Sequence, residues 1–313
     1  MGGQAEMLIQ KISELYDKIS KLPSLSPSKE VDALFTELVH ACIPQNPIDV
    51  SKLNESMQEM RTKLIAICSE AESLLESHYS DLLASFENPL DHLELFPYYS
   101  NYLKLSQLEH TLLSRHVTGP PARVAFVGSG PLPLTSLVLA TRHMRTAAFH
   151  NYDVSATANE RARRLVRADA DLGARMAFRT CDVMAAGQAL GGYDVVFLAA
   201  LVGVGREEKR RIIEHLACYM APGAKLVVRS AHGARVFLYP VVEAEDLRGF
   251  EVMSVYHPND EVINSVIVAR KPHHGPSIGH GTAGMRPCKC CKMQAMRAEV
   301  SGPLERADVS PTV

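Results

Sequence analysis

The sequence predicts an α/β fold, with an N-terminal all-helical cap domain followed by a doubly wound, mainly parallel sheet. Through residues 1–118, apolar side chains recur at helical spacing and no strand-like run interrupts them. After a Gly-Pro-Pro linker at 119–121, short apolar runs alternate with amphipathic stretches, which is the pattern of βα units. Residues 272–313 lack sustained periodicity. We therefore predict a helical cap at 1–118, a sheet domain at 119–271 and a flexible tail at 272–313.

The composition is that of a globular protein large enough for two domains: 313 residues, 46% hydrophobic and 22% charged. A net charge of −2 leaves no basic field that would favour nucleic acid. No apolar run approaches the roughly 20 residues of a membrane helix, and the first residues do not resemble a signal peptide. We predict a cytoplasmic protein with no nucleic-acid partner and no stable membrane insertion. The sequence is compatible with a homo-oligomer.

Four helices are predicted in the cap. The first covers the N-terminal residues up to Leu22, and the second follows Ser26-Pro27, an N-cap with proline at the first helical position. Two long amphipathic helices follow, at about 54–86 and 98–117. The segment between them carries two prolines and many aromatic side chains, which predicts a break in the helical structure.

The second part of the chain is predicted to form five parallel strands and a terminal antiparallel hairpin. A helix over about 131–141 follows the first strand, and a helix over about 206–220 precedes the fifth. A Pro-Asn-Asp-Glu turn at 258–261 joins the last two strands. The predicted strands cover 124–127, a run ending at Asp153, 177–182, 193–200, 224–229, 250–256 and 265–269. This order is the plan of a Rossmann-like S-adenosylmethionine-dependent transferase sheet.

The first strand breaks into Gly128-Ser129-Gly130, and the second strand ends on Asp153. The glycines let the backbone approach a ligand, and the carboxylate is placed to accept hydrogen bonds from ribose hydroxyls. Pro133 stands where a third glycine would complete a phosphate cradle, which disfavours NAD. A ligand with ribose but no phosphate, such as S-adenosylmethionine, is favoured. The alternative is a sheet whose glycines are structural only.

Three further strand ends supply candidate binding residues. Asp182 ends the predicted third strand, where this fold binds the edge of the adenine ring. The alternative is that Asp182 is a solvated turn residue. Ala200 lies in the apolar run 198–203, which predicts either a wall against the sulfonium or core packing. Arg229 and His232 close the fifth strand, where an Arg can hold a carboxylate bidentately. Ordinary loop polarity is the alternative for these two.

The cap supplies candidates for proton transfer. Glu76 lies on the long helix near Glu72, although an exposed Glu on an acidic helix is usually solvated. Tyr98, Tyr99 and Tyr102 cluster within five residues, which seldom serves core packing alone. Tyr hydroxyls beside a carboxylate can relay a proton, and their rings can stack over a sulfonium.

The tail carries histidines and the string Cys-Lys-Cys-Cys at 288–291. This string lacks the paired spacing of zinc modules. We therefore predict no metal site and no cofactor beyond the substrate S-adenosylmethionine. A non-catalytic metal carrier that acts through the tail is the alternative outside the enzymes.

The chain resembles the plant nicotianamine synthase family over residues 4–271. The resemblance rests on long strings that chance does not produce. They are KLPSLSP at 21–27, NPLDHL at 88–93, FPYY at 96–99, RVAFVGSGPLP at 123–133, YDVVFLAALVG at 193–203, VRSAHGAR at 228–235 and NDEVINSVIVARK at 259–271. The tail departs from the shorter members of the family.

The resemblance implies condensation of three S-adenosylmethionine molecules by aminocarboxypropyl transfer and azetidine closure. The products would be nicotianamine, a metal chelator and phytosiderophore precursor, and three methylthioadenosines. In the family a cap Glu and a Tyr of the aromatic segment handle the proton. Glu76 and Tyr102 match best, with Tyr99, Tyr98 and Glu72 as competitors.

Two other enzyme classes are alternatives for this sequence. An N-methyltransferase with a helical lid is the runner-up, because it shares the nucleoside site. A nicotinamide-dependent reductase is disfavoured, since no tyrosine of this chain is followed by lysine at the fourth position.

Overall fold

The computed structural model describes residues 3–44 and 48–273, and its first described residues form a helical cap. The cap helices are α1 (Gly3–Ile19), α2 (Lys29–Cys42), α3 (Glu55–Leu83) and α4 (Tyr99–Ser114). The N-cap of α2 is Ser28, whose hydroxyl accepts the N–H of Val31. The predicted start at Ser26-Pro27 was therefore wrong by two residues. The acidic Glu30 and Asp32 fall in the first turn of the observed helix, where their negative charges interact favourably with the positive end of the helix dipole.

The long helix α3 carries a carboxylate on its buried face. Asn54 caps the helix by accepting the N–H of Met57 at 2.9 Å. The buried side chains of α3 are Met60, Leu64, Ile65, Ala71, Glu76, Ser80 and Leu83. Because Glu76 shares a helical face with apolar residues, it points toward the protein interior rather than into solvent.

Within residues 48–273, seven strands form one sheet in the order β3-β2-β1-β4-β5-β7-β6. The strands are β1 (Arg123–Val127), β2 (Ala148–Asp153), β3 (Met176–Thr180), β4 (Val195–Leu198), β5 (Lys225–Ser230), β6 (Glu251–Tyr256) and β7 (Ser265–Arg270). The first five strands are parallel, and β7 pairs antiparallel with both β5 and β6. The pairing of β6 with β7 shifts register between Val252 and Ser254. The predicted doubly wound sheet with its hairpin is confirmed, with strand ends displaced by two residues at most.

Helices cover both faces of this sheet. They are α5 (Leu134–Val138), α6 (Ala156–Val166), α7 (Ala170–Arg175), α8 (Val183–Ala186) and α9 (Arg206–Tyr219). The single helix predicted over 131–141 was wrong at its start, because Pro133 stands at the N-cap and the helix begins only at Leu134. It continues as a π-helical turn at Leu139–His143.

Alternate residues of β1 enter two different apolar cores. Phe126 packs with the core shared by α4, α5 and α6, whereas Ala125 packs with the core beneath α9. A third core joins α1, α2 and α3 to the segment 231–238 that follows β5. The cap is thereby held at the carboxyl ends of the parallel strands.

The helices and the sheet share one compact unit, Met1–Gly275. All strands of the described residues follow residue 118, but a boundary between separate domains at that point stays a prediction. Of the predicted tail at 272–313, residues 274–313 lie outside the described residues.

Candidate active site

A cavity of about 560 Å³ lies between the cap and the carboxyl ends of the parallel strands. Open α/β sheets bind ligands at this edge, and the volume is typical of small-molecule sites. Its lining includes Glu72, Glu76, Tyr102, Gly128, Ser129, Gly130, Asp153, Asp182, Ala200 and Arg229. Side chains from the cap and from the ends of five strands therefore meet in one place.

The turn after β1 brings a cap carboxylate next to the glycine loop. Gly128 and Gly130 have φ angles of +80° and +66°, in the region that favours glycine. A Cβ atom at Gly130 would lie 2.6 Å from Oε2 of Glu76, and a Cβ atom at Gly128 would collide with Val202. Both glycines therefore allow the turn and also let the side chains of Glu76 and Val202 approach the loop closely.

Asp153 at the end of β2 organises the same loop. Its Oδ2 accepts the N–H of Gly130 at 2.9 Å, and its Oδ1 accepts the N–H of Ser155 at 2.8 Å. Each carboxylate oxygen has a second lone pair. Since Asp153 lines the cavity, it can still accept hydrogen bonds from a ligand.

Asp182 and Ala200 line the cavity after β3 and β4. Asp182 caps α8 by accepting the N–H of Met184 at 2.9 Å, and it is exposed. Ala200 is buried, and Nζ of Lys209 donates to the carbonyls of Ala199 and Ala200 at 3.0 and 2.8 Å. Burial lowers the pKa of Lys209 to about 7. This lysine of α9 holds the loop that packs against Gly128.

Arg229 is 7% exposed and has a carboxylate partner inside the protein. Its Nε and Nη2 atoms donate to Oε1 and Oε2 of Glu109 at 2.7 and 3.1 Å. Nη2 also donates to Oγ1 of Thr135 at 2.6 Å. Burial opposes the charge, but the adjacent Glu109 carboxylate keeps the pKa of Arg229 above its usual value. The orientation of Arg229 is therefore set before any ligand binds.

A hydrogen-bonded series connects the two carboxylates of α3. The hydroxyl of Tyr102 lies 3.2 Å from Oε1 of Glu76 and 3.4 Å from Oε1 of Glu72. The hydroxyl of Tyr239 donates to Oε2 of Glu72 at 3.0 Å. A phenol has one hydrogen, so Tyr102 donates to one carboxylate at a time. The two carboxylates can thus exchange a proton through this hydroxyl.

Burial shifts the pKa values of all four groups in this series. It raises the pKa of Glu76 well above the usual range, and the negative charge of Glu72 raises it further. The pKa of Glu72 is raised by burial, while the Tyr239 hydrogen bond and the Arg229 charge act in the opposite direction. Burial and the adjacent carboxylates also raise the pKa values of Tyr102 and Tyr239. Burial therefore favours the protonated form of both carboxylates.

Two predicted site residues, Tyr99 and His232, do not line this cavity. Tyr99 is the first residue of α4 and is half-buried. Its hydroxyl accepts a hydrogen bond from Arg142 at 3.4 Å. His232 is exposed and stacks on His257, with ring centroids 4.1 Å apart. The chain turns inward only after His232, at the 3₁₀ helix Gly233–Phe237.

The sequence reasoning missed Glu109, Tyr239 and Asn264, all of which are placed at this cavity or at its arginine. Glu109 follows Tyr102 by seven positions, so it lies on the same face of α4. An acidic residue on an apolar helical face was an available signal for it. Tyr239 and Asn264 carried no comparable pattern.

No helix within the described residues is both long and apolar enough to cross a membrane. In the same part of the chain, no three His, Cys, Asp or Glu side chains are grouped so that they could hold a metal ion. The Cys-Lys-Cys-Cys string at 288–291 lies outside the described residues.

A family model for nicotianamine synthase proteins matches residues 1–275. Nicotianamine synthase 9 of Hordeum vulgare is 67% identical over 271 residues, which are 86% of this chain and 80% of the relative. Nicotianamine synthase 2 of Oryza sativa subsp. japonica is 62% identical over 300 residues, 92% and 91% of the two chains. The nicotianamine synthase of Solanum lycopersicum is 61% identical over 264 residues, 84% and 83% of the two chains.

The fold is shared with a solved structure of MtNAS in complex with MTA and tNA. The TM-score is 0.71 at 23% identity, over 84% of this chain and 97% of that chain. A mutant of MtNAS in complex with S-adenosylmethionine gives a TM-score of 0.69 at 23% identity, over 84% and 98%. At this identity the likeness establishes the fold only. With the family model covering most of its length and relatives above 60% identity, this chain belongs to the nicotianamine synthase family.

Proposed function

We propose that the cavity couples three S-adenosylmethionine molecules through their aminocarboxypropyl arms and closes an azetidine ring, giving nicotianamine and three methylthioadenosines. Membership of the family supports this activity. The observation that carries the proposal is the contact between cap and glycine loop. The Glu76 carboxylate abuts Gly130, and the Tyr102 hydroxyl lies within hydrogen-bond distance of it. A base is thereby available next to the proposed nucleoside loop.

The donor molecule is proposed to bind at the ends of β1 to β4. Asp153 would accept hydrogen bonds from the ribose hydroxyls, and Asp182 would accept one from the adenine amino group. The loop at Ala200 would pack against the apolar part of the ligand. The two carboxylates also favour a cationic sulfonium over a phosphate, which agrees with the incomplete phosphate cradle at Pro133.

Each coupling requires an amine with a lone pair. In the proposed step, an α-ammonium group gives a proton to Glu76, and the nitrogen then attacks the methylene carbon bound to sulfur. The C–S bond breaks, its electron pair stays on sulfur, and neutral methylthioadenosine leaves. The raised pKa of Glu76, caused by burial and then by Glu72, makes its carboxylate a better proton acceptor than an exposed one.

Ring closure is the intramolecular version of the same displacement. Fixed orientation offsets the strain of the four-membered ring, because the reacting atoms are already held together. The cap supports this role, since it covers the strand ends and limits the access of water.

The test is incubation of the full chain with S-adenosylmethionine alone, followed by mass analysis of the products. We expect nicotianamine and methylthioadenosine in a one-to-three ratio. Adenosylhomocysteine would instead indicate methyl transfer, as expected of an N-methyltransferase with a helical lid. Unreacted S-adenosylmethionine would contradict both activities.

We further propose that the enzyme works in the cytoplasm and needs no cofactor beyond its substrate. The scattered cysteines of the described residues, such as the buried Cys42, support a reducing compartment. Turnover should be unchanged after dialysis against a metal chelator. A fluorescent fusion should distribute like a cytoplasmic marker, and exclusion from the cytoplasm would contradict the location.

A further inference from the structure

Each displacement in the proposed reaction leaves a proton on the enzyme. Two couplings and one ring closure form nicotianamine, and each releases one proton together with one methylthioadenosine. Glu76, the proposed base, is buried, with 9% of its surface exposed. A base that serves successive displacements must lose its proton before the next amine reacts. The surroundings of Glu76 therefore have to provide a path by which this proton leaves.

The two carboxylate oxygens of Glu76 face different partners. A Cβ atom at Gly130 would lie 2.6 Å from Oε2, so this oxygen faces the glycine loop. Oε1 lies 3.2 Å from the hydroxyl of Tyr102. The terminal torsion of a Glu side chain is broad and roughly two-fold, so its rotation exchanges the two oxygens. A proton taken up on the side of the glycine loop can thereby be presented to Tyr102.

Glu72 continues this series on the far side of Tyr102. Its Oε1 lies 3.4 Å from the same hydroxyl, and its Oε2 accepts the hydrogen of Tyr239 at 3.0 Å. Since a phenol has one hydrogen, both Tyr102 contacts are hydrogen bonds only when one of the two carboxyls is protonated and donates to the phenol oxygen. Burial raises the pKa of both carboxyls, which favours one proton on the pair. The geometry is thus satisfied by one carboxyl proton, held at either end.

The other charged groups near this pair are already engaged. Arg229 donates to Glu109 and Thr135, and the oxygens of Asp153 accept the N–H groups of the loop at Gly130 and Ser155. The remaining titratable neighbours of Glu72 hold their own protons, because burial raises their pKa values; they are Cys68, Tyr98 and Tyr239. Glu72 is therefore the group that can take a proton from Glu76 through Tyr102.

We propose that Glu72 is the exit of a proton relay, in which Tyr102 carries the proton away from Glu76 after each displacement. The ammonium N–H bond breaks as an O–H bond forms at Glu76. Glu76 then gives this proton to the Tyr102 oxygen while the Tyr102 hydrogen passes to Glu72, and Glu72 releases a proton to water. One proton enters and one leaves for each methylthioadenosine. The inference rests on the proposed function, because only repeated displacement requires Glu76 to be restored before the product is complete.

Glu72 is placed to pass the proton to solvent. It is half-buried, whereas Glu76 is buried, and both line the cavity. Ser73, the next residue of α3, also lines the cavity and is exposed, so water reaches the cavity beside Glu72. The hydrogen bond from Tyr239 fixes the outer oxygen of Glu72. Glu72 therefore acts on the amine only through Tyr102.

Two substitutions in the full chain test the relay by rapid-quench measurement of methylthioadenosine. Glu72→Gln cannot take up a proton, and Glu72→Asp keeps the charge but is one methylene too short to reach Tyr102. In both, the first methylthioadenosine per active site should form near the wild-type rate, because Glu76 starts unprotonated. Later displacements should slow roughly 10²-fold, since Glu76 keeps the proton. Glu70→Gln, on the exposed face of the same helix, is the matched control and should show no such pause.

A small buffer separates this role from a structural one. Imidazole, which can enter the cavity and remove the proton, should restore the later displacements in the Glu72 variants, whereas a bulky buffer of similar pKa should not. Methylthioadenosine formation without a pause overturns the relay, as does a first displacement slowed as much as the later ones, or a pause that imidazole does not shorten. If Glu72→Gln fails to fold, Glu72→Asp alone decides. A wild-type chain that makes no nicotianamine refutes the proposed function instead, before any variant is compared.

Discussion

Glu76 is a carboxylate whose surroundings oppose its charge. It is 9% exposed, and burial raises its pKa well above the ordinary value of 4.5, with a further contribution from Glu72. The Tyr102 hydroxyl and the Arg229 charge act in the opposite direction without cancelling the shift. A buried carboxylate of this kind lowers the stability of the fold, but it is a stronger base than an exposed one. This combination is common among catalytic groups.

Replacing this base should slow catalysis without weakening substrate binding. Glu76→Gln keeps the shape of the side chain but cannot accept the amine proton, so kcat should fall roughly 10²–10⁴-fold. Tyr102→Phe should add little in the double variant, because both residues act on one proton. Glu70→Gln, on the exposed face of the same helix, is the control. Steady-state rates and calorimetric affinity provide the measurement, and wild-type kcat in Glu76→Gln would remove it from the mechanism.

The same substitution should stabilise the fold in alkaline buffer. Because the folded pKa of Glu76 is raised above 4.5, the folded state binds more protons than the unfolded state between these two values. The favourable contribution of protonated Glu76 to stability is fully present below pH 4.5 and is lost as the pH rises through the folded pKa. Glu76→Gln does not titrate, so its melting temperature should exceed that of the wild type most at alkaline pH. A difference that does not vary with pH in scanning calorimetry would contradict the buried carboxylate.

Sequence reasoning located the residues that follow a local rule and missed those that depend on a distant partner. Asp153 was found because a strand, a glycine turn and a spaced acid describe one local unit. Glu76 was identified only through the family resemblance, because nothing near it in sequence reveals that the sheet covers its face. Glu109 and Arg229 are 120 positions apart, and only the fold brings them together.

At the level of elements, the loop after β4 depends on a side chain from α9. Lys209 is 1% exposed and bonds two successive carbonyls of this loop, at Ala199 and Ala200. Gly203, with a φ of +73°, packs against the backbone of Lys209. Lys209 therefore positions a wall of the cavity that it does not itself line.

Loss of this support should weaken substrate binding more than turnover. Lys209→Met keeps the length of the side chain but removes two hydrogen bonds, each worth roughly 1 kcal/mol, so KM should rise roughly tenfold with little change in kcat. Arg211→Met on the exposed face of α9 is the matched control. A roughly tenfold fall in kcat at constant KM would instead show that Lys209 does not act through the loop.

The sequence predicted strands better than helix starts, for a physical reason. Buried parallel strands appear as apolar runs with little ambiguity, and each run here ended within two residues of its prediction. The start of α5 was missed because Pro131 and Pro133 both suit a first helical turn, and only one start is compatible with the glycine loop. The π-helical turn at Leu139–His143 had no sequence signal that we recognised.

Across the whole molecule, apolar packing and the buried Arg229–Glu109 pair tie the cap to the sheet, whereas the exposed ion pairs add little. Arg161 of α6 pairs with Asp81 of α3 at 2.9 Å, but both side chains are partly exposed, and such pairs contribute little. The third core instead buries Phe237 and its neighbours between three cap helices. In addition, Nε of Arg61 donates to the carbonyl of Val236 at 2.7 Å. The walls of the cavity are therefore parts of one folded unit.

The family model ends at residue 275, which predicts that the residues beyond it are dispensable for synthesis. Deletion of 275–313 should leave kcat and KM within about twofold of the full chain, because the predicted sheet is complete before this point. The full chain assayed in parallel is the control. A folded but inactive truncation, judged by melting temperature and product analysis, would assign these residues to the active site.

The sheet ends, among the described residues, at β6, whose outer residues Val255 and Tyr256 are 48% and 42% exposed. An apolar edge strand of this kind is a template for pairing with the edge of another copy, and so for aggregation. The register shift between Val252 and Ser254 displaces the backbone donors and acceptors halfway along the strand. A straight strand from a second molecule could then pair along only part of the edge. The register shift therefore limits how much of this exposed edge a second copy of the chain can extend.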